Sequence, residues 1–179
     1  TPRLLPKTTV AYLSIPDVPE MNERFMSTAT GRMSQDPQLK PLLKDIYSSI
    51  SQLVDTLKDR IGLSLTEILS IPQGQITVAL VAPDEADAAL VLILDTGDQF
   101  PKAKGLLDRM TDAADQSGIE RTQEEAHDTT IVIFNGVGRQ RNRLSYFEKD
   151  GTIVAATNLD ILKQILAVWN GEKGSTLAD

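Results

Sequence analysis

The sequence QITVALV at residues 75–81 is followed, after the short acidic loop APDEAD, by AALVLIL at residues 88–94. Both stretches are nearly continuous in apolar side chains, which indicates two central strands. A loop of this length joins antiparallel neighbours, because a parallel pair needs a crossover of a dozen or more residues. The two stretches therefore predict an antiparallel sheet with these strands near its centre.

Further strand and helix patterns flank this hairpin. The order of the elements predicts an α+β fold, with a largely antiparallel sheet of about six to seven strands and helices packed mainly on one face. The sequence KDGT at residues 149–152 is typical of a tight hairpin turn. The other predicted strands are residues 8–15, 120–125, 130–134, 144–148 and 153–157, and helices are predicted at residues 20–33, 100–117 and 159–169.

The strongest helical pattern lies at residues 39–61. Apolar side chains recur there at alternating steps of four and three, at Leu39, Leu43, Ile46, Ile50, Leu53 and Leu57. The stripe is widened by further apolar residues at Leu42, Tyr47, Val54 and Ile61. A coiled-coil seam is narrower, since it uses two positions in seven. The width therefore indicates a helix that lies on a sheet, roughly 30 Å long.

Composition narrows the classes of function. The chain of 179 residues has no cysteine, which excludes thiol catalysis, thiolate zinc sites and iron–sulfur clusters. A net charge of -7 and an aromatic content of 4% disfavour nucleic acid as a partner. No apolar run approaches the roughly 20 residues that span a membrane, so no membrane span is expected.

The sequence LVLILDTG at residues 90–97 resembles the way in which aspartic proteases present a catalytic carboxylate. Acid proteolysis needs two aspartates that share one proton, and the chain has a single Asp-Thr-Gly. The sequence DQFP that follows leads into a helical pattern rather than a further strand. We therefore interpret Gly97 as a turn residue, Asp98 as a helix cap and Pro101 as a residue of the first helical turn.

Three arginines alternate in the sequence GVGRQRNR at residues 136–143. Arg139, Arg141 and Arg143 would lie on one side of an extended segment. Such a side is typical of a solvated edge or hairpin loop, where charge also discourages edge-to-edge pairing of strands. The alternative is a site for an anion or an acidic partner, because guanidinium groups bind phosphate and carboxylate.

One cluster has metal-ligand chemistry: Glu124, Glu125, His127 and Asp128. A Glu-x-x-His pair binds a metal well when a helix places both side chains on one face. Here the pattern indicates strand and turn, which would bring only Glu125 and His127 together. A solvated loop is the favoured interpretation, and no metal site is predicted.

Apolar side chains also recur in the predicted helix at residues 20–33. Met21, Phe25 and Met33 share a stripe that is expected to face the core. Met26 lies off this stripe and is expected at the surface, where a methionine can adapt to a partner. Met26 is therefore a candidate interface residue.

Several short motifs are spread along the whole chain: LLP at residues 4–6, VAYL at 10–13, DP at 36–37, LKP at 39–41, IGLSL at 61–65, VAAT at 154–157 and STLAD at 175–179. In this order they resemble a bacterial, planctomycete-type family of unknown function, domain of unknown function 3352. The motifs mark strands, caps and helix starts, so the resemblance implies no catalytic residue. It implies an extracytoplasmic domain that follows a signal or anchor segment. It also implies a further helix and strands after residue 179.

These observations predict a single domain at residues 1–174 and, at residues 175–179, the start of a truncated following segment. The favoured function is that of a non-catalytic cell-envelope or extracytoplasmic domain, which scaffolds or binds another protein or the missing C-terminal part of the same chain. One alternative is a ligand-binding module that uses the arginine loop. Another is an enzyme whose residues meet only in space. No cofactor is expected.

Overall fold

The computed structural model describes residues 3–34, 74–83, 87–116, 118–137, 142–172, 174 and 176–177. The predicted helix at residues 39–61 lies outside the described residues, as do Arg139, Arg141 and most of the segment 175–179.

The described residues form one antiparallel sheet of seven strands with four helices, so the predicted α+β class is confirmed. The strand order across the sheet is β1-β2-β3-β7-β6-β5-β4. The strands are β1 Thr9–Ile15, β2 Ile76–Val81, β3 Ala89–Asp95, β4 Glu120–Ala126, β5 Thr129–Val137, β6 Asn142–Lys149 and β7 Thr152–Ala156. The helices are α1 Val18–Ser27, α2 Ala29–Ser34, α3 Phe100–Gln116 and α4 Leu159–Trp169.

The two hairpins that the sequence predicts are both present. β2 and β3 pair from Ile76 with Leu94 to Val81 with Ala89, in continuous register. The turn between β6 and β7 places Asp150 at φ 51° and Gly151 at φ 71°. Two consecutive positive φ angles match the right-handed twist of the strands, and they favour an Asp-Gly pair because glycine has no Cβ to clash.

The predicted helix at residues 20–33 is divided into α1 and α2. Thr28 has an extended backbone (φ -76°, ψ 163°), and its hydroxyl donates to the Phe25 carbonyl while it accepts from Gly31 N at 3.0 Å. Thr28 therefore ends one helix and caps the next. A side chain at Gly31 would collide with the Phe25 carbonyl oxygen, so this tight break requires glycine.

The expected burial of the methionines in α1 and α2 is wrong. Met21, Phe25 and Met33 are exposed, whereas Met26 is half-buried and makes an interaction. In α1 only Val18 is buried. Periodicity identifies an apolar stripe correctly but does not say which element covers it, and α1 packs against α2 in the described part of the chain. Interface use of Met26 stays a prediction.

The helices α3 and α4 pack on opposite faces of the sheet, rather than mainly on one face as predicted. α4 covers the face of Val91, Ile93 and Val154, which we call the α4 face. α3 covers Phe134 and Tyr146 on the other side, which we call the α3 face. The inward residues of both helices agree with the sequence pattern. Those of α3 are Ala103, Leu106, Leu107, Met110 and Ala114, and those of α4 are Ile161, Leu162, Ile165 and Leu166.

Each terminus of the described chain also packs on this body. Leu5 is fully buried in the core of the α4 face, and Leu177 N donates to the Leu5 carbonyl at 2.9 Å. Among the described residues, no helix has the length and hydropathy that crossing a membrane requires.

We predict that Leu162→Ala lowers the free energy of unfolding by about 2–5 kcal/mol, because it leaves a cavity in a fully buried site. Gln164→Ala, at an exposed position of the same helix, should change it by less than about 0.5 kcal/mol. Urea unfolding followed by circular dichroism measures both. Equal losses for the two variants would contradict the assigned inward face of α4.

Candidate functional site

A polar cleft of about 730 Å³ lies between α3 and strands β4–β6 on the α3 face. It is the candidate site, because a concave surface with convergent polar groups is where proteins most often bind small molecules or chain segments. The helix contributes Lys104, Asp108, Thr111, Asp112 and Asp115 to its lining. The sheet and its turns contribute Arg121, Gln123, Asp128, Thr129, Thr130, Val132, Tyr146, Glu148 and Lys149.

The start of α3 is held against the sheet by the residues that resemble a protease motif. Asp95 Oδ1 accepts from Gly97 N at 3.1 Å, and Gly74 packs so closely on this carboxylate that a side chain there would collide with it. Thr96 is fully buried, and its hydroxyl and backbone N–H both donate to the Gly151 carbonyl, at 2.6 Å and 3.0 Å. The motif therefore fastens the turn before α3 to the β6–β7 turn.

The helix α3 follows a 3-10 turn, Gly97–Gln99, rather than a side-chain cap at Asp98. The apolar stripe of α3 packs on the sheet. The polar residues that flank this stripe on the helix surface line the cleft. Asp108, Asp112 and Asp115 recur at steps of four and three, so they lie along one side of the helix. One amphipathic pattern therefore both anchors α3 and provides one wall of the cleft.

Tyr146 lies at the base of the cleft. It is 9% exposed, stacks on Phe134 at a ring-centroid distance of 6.2 Å, and shares a side-chain hydrogen bond with Thr111. Burial raises the pKa of its phenol, and the carboxylates of Glu148 and Asp108 add to this. The Thr111 hydrogen bond and the charge of Arg121 act in the opposite direction. The phenol is therefore neutral over the physiological pH range, as a hydrogen-bonding group and not as a base.

The cluster with metal-ligand chemistry is dispersed in the structure. Glu124 forms an ion pair with Lys163 at 2.6 Å, and Glu125 accepts a hydrogen bond from the Thr130 hydroxyl. His127 Nδ1 lies 3.5 Å from the Glu172 carboxylate. Among the described residues, no group of three or more histidine, aspartate or glutamate side chains is placed to hold a metal ion.

His127 and Asp128 instead form the two-residue turn between β4 and β5, with φ angles of 49° and 54°. Both residues are exposed, as predicted for a solvated loop. A left-handed backbone at two consecutive residues with side chains costs free energy that Asn-Gly would avoid.

Of the three arginines in the alternative anion site, only Arg143 is among the described residues, because Arg139 and Arg141 lie outside them. Arg143 is exposed near the start of β6 and is not part of the lining of the cleft. Its use in anion binding stays a prediction.

Apart from Asp128, the residues that line the cleft are absent from the candidates that the sequence indicates. Alternation in β6 places Tyr146 and Glu148 on one face, and helical spacing groups Asp108, Asp112 and Asp115. Neither pattern identifies the face of the sheet on which α3 packs. The sequence therefore does not show that the aspartates of α3 and the residues of β6 line the same cleft.

The chain matches no family model, no curated protein and no solved structure. The fold and the cleft define the structural class of this protein: an α+β domain with an open antiparallel sheet and a polar cleft along one helix. The resemblance to domain of unknown function 3352 stays a prediction.

We predict that Tyr146→Phe reduces the loss of stability at alkaline pH. The phenol has a higher pKa in the folded chain than in the unfolded one, so its contribution is complete below about pH 10 and is lost as the pH rises through the folded-state pKa. Urea unfolding between about pH 8 and about pH 11 should show a shallower decline for the variant than for the wild type. Tyr12→Phe, at an exposed tyrosine, should keep the wild-type decline, and a wild-type decline in Tyr146→Phe would contradict the assignment.

We also predict that the double change His127→Asn with Asp128→Gly raises the free energy of unfolding by about 1 kcal/mol, because it relieves the left-handed turn. The lost contact with Glu172 is exposed and contributes little. Thermal unfolding measures the gain, and addition of Zn²⁺ should leave the wild-type midpoint unchanged. A Zn²⁺-dependent rise in the wild type that the variant lacks would favour the metal hypothesis instead.

Proposed function

We propose that this chain is a non-catalytic interaction domain of the bacterial cell envelope, and that its cleft between α3 and β4–β6 binds a polar, basic segment of a partner protein. The observation that carries the proposal is the chemistry of the cleft. Its described lining is rich in hydrogen-bonding and charged groups, with a neutral phenol at its base.

The lining favours binding over catalysis. Neither histidine nor serine occurs among the described residues of the cleft, and the chain has no cysteine. The Thr111 hydroxyl donates to the Leu107 carbonyl at 2.9 Å, so its proton already takes part in a hydrogen bond within α3. A nucleophile needs a neighbouring base to activate it, and Tyr146 with its raised pKa is a poor base. These groups are suited to orienting a bound chain.

The charge of the cleft indicates the partner. Five carboxylates face three cations in its lining: Asp108, Asp112, Asp115, Asp128 and Glu148 against Lys104, Arg121 and Lys149. The chain as a whole carries a net charge of -7. A lysine- or arginine-containing segment is therefore attracted by both the local and the overall field, while Lys104 and Arg121 can bind its carbonyl groups.

The size of the cleft also suits a chain segment. A volume of about 730 Å³ falls within the range of roughly 300–1,000 Å³ that small-molecule sites occupy, so it accommodates a few residues of a peptide. β4, at the edge of the sheet beside the cleft, is exposed along nearly its whole length.

The location in the cell envelope is supported by the family resemblance alone.

The proposal predicts which peptides the domain selects from a displayed random library. Selected peptides should be enriched in lysine and arginine, and the double variant Asp108→Asn with Asp112→Asn should bind them about fivefold or more weakly, because partly exposed charge pairs contribute about 1 kcal/mol. Fluorescence anisotropy at low ionic strength measures the Kd. Amide shifts in NMR spectra should concentrate in α3 and β4–β6.

The matched control removes two exposed aspartates outside the cleft lining, Asp98→Asn with Asp160→Asn. It changes the net charge equally, so general attraction would weaken binding by the same factor in both double variants. Equal weakening, or selection of acidic peptides, would contradict the proposal. Acidic peptides whose binding is lost in Arg143→Ala would favour the arginine alternative.

A further inference from the structure

The outer edge of β4 is an unpaired strand edge in the described part of the chain. β4 ends the sheet, and no described strand pairs with its outer side. Six of its seven residues are exposed, so the described helices leave this edge uncovered. Its pairing with β5 continues over the whole strand without a register shift. By contrast, β1 at the other edge has a register shift between Thr9 and Ala11, and such irregularities discourage a further strand from pairing.

The turn between β4 and β5 determines which backbone groups of β4 point outward. His127 and Asp128 form a two-residue turn, so Ala126 and Thr129 on either side of it are joined by backbone hydrogen bonds. Hydrogen-bonded and non-hydrogen-bonded pairs alternate along an antiparallel ladder. Counting back from Ala126, every second residue therefore directs its N–H and C=O groups away from β5. These residues are Arg121, Gln123 and Glu125.

The side chains of the same three residues lie on the α3 face. Arg121 pairs with Phe134 and Gln123 pairs with Val132, and both of these β5 residues pack beneath α3. Among the described residues, no carboxylate forms an ion pair with Arg121. Arg121 and Glu125 are equally distant from Gln123, the middle residue of β4, and they carry opposite charges. The edge is therefore complementary to a reversed copy of itself.

We propose that β4 pairs with the β4 strand of a second copy of the chain, antiparallel and centred on Gln123, so that two seven-stranded sheets join into one. In this register Gln123 lies opposite its own copy, and Arg121 lies opposite the partner's Glu125. The outward backbone groups of the two strands meet each other, as an antiparallel ladder requires. A two-fold axis makes each contact occur twice, so the dimer contains two arginine–glutamate pairs.

The other charges of β4 favour this register over its neighbours. Paired residues share a face, so the nearest alternatives are centred on Thr122 or Glu124, and both leave residues at the strand ends unpaired. Centred on Thr122, the strands place Glu120 opposite the partner's Glu124. Centred on Glu124, they place that residue opposite its own copy. Like charges directly opposite each other are destabilising, and the register centred on Gln123 contains no such pair.

The charge of the edge also favours a second copy over a basic segment as the strand that pairs with β4. A lysine-rich strand would place a cation opposite Glu125 but another opposite Arg121, whereas a reversed β4 satisfies both residues. One strand edge buries less area than the roughly 1,200–2,000 Å² of stable complexes, so we expect a Kd on the order of 10 μM. The inference is independent of the proposed function, because dimerisation is measured without any bound segment.

Reversal of single charges tests the register. Arg121→Glu and Glu125→Arg each place like charges opposite each other, so each variant alone should dimerise at least about tenfold more weakly than the wild type. An equal mixture of the two variants should form a heterodimer with a Kd close to that of the wild-type dimer, because each glutamate then faces an arginine. Sedimentation equilibrium measures the three dissociation constants.

The matched controls make the same changes in net charge at exposed residues outside β4. Lys102→Glu and Glu23→Arg should each keep the wild-type Kd, alone and mixed. They separate the specific pairing of strands from a general effect of net charge, which would act equally on both sets of variants.

An introduced cysteine tests the two-fold axis, since the natural chain contains none. Gln123→Cys should give a disulfide-linked dimer on mild oxidation, because the two copies of residue 123 would lie about 5.5 Å apart at Cα. Thr122→Cys is the control. The two copies of residue 122 would be offset along the strands and about 8 Å apart, beyond the roughly 7 Å that a disulfide can bridge.

Three outcomes would overturn the proposal. The first is a wild-type chain that stays monomeric at about 1 mM, well above the expected Kd. The second is a dimer that the charge reversals in β4 weaken no more than the controls do, which would place the contact elsewhere on the chain. The third is an equal yield of disulfide from Gln123→Cys and Thr122→Cys, which would exclude this register.

Discussion

The pairing of β3 with β7 is the interaction on which the rest of this structure depends. It joins two antiparallel halves, β1–β3 and β4–β7, into one sheet through the register that runs from Val91 with Ala156 to Asp95 with Thr152. Thr96, directly after β3, donates two hydrogen bonds to the Gly151 carbonyl in the turn before β7. Because these contacts join distant parts of the chain, their formation has to offset the entropy cost of closing long loops.

This pairing also decides where the helices lie. β4 is at the far edge of the sheet, so the chain must cross one face between β3 and β4, and α3 is that crossing. It covers the part of the face formed by β5–β7, with the polar cleft on the side toward β4. On the side toward β1, the side chains of Leu13, Val78 and Leu90 are exposed. One connection thereby separates a polar cleft from an exposed apolar surface on the same face of the sheet.

Local sequence patterns predict individual helices and strands well, but they do not predict which elements pack against each other. The β2–β3 hairpin and the inward stripe of α3 follow from apolar periodicity and turn residues within a short window. Periodicity also indicates the stripe of Met21 and Phe25, yet its expected burial is wrong, because burial depends on a neighbouring element that periodicity does not specify. For the same reason the sequence does not indicate the cleft, since Asp108 and Tyr146 are far apart in the chain and meet only when α3 lies on the sheet.

The sequence alone determined the α+β class, the antiparallel hairpins and the exclusion of thiol chemistry. It also determined that Asp95-Thr96-Gly97 forms a turn before a helix. Each of these depends on neighbouring residues or on composition, and local backbone preferences and side-chain chemistry are enough to decide them. Tertiary structure alone decided the strand order, the placing of α3 and α4 on opposite faces, and the position of the cleft. Those features are set by contacts between distant segments. An amphipathic pattern indicates that one face of an element is buried, but it does not identify the element that covers that face.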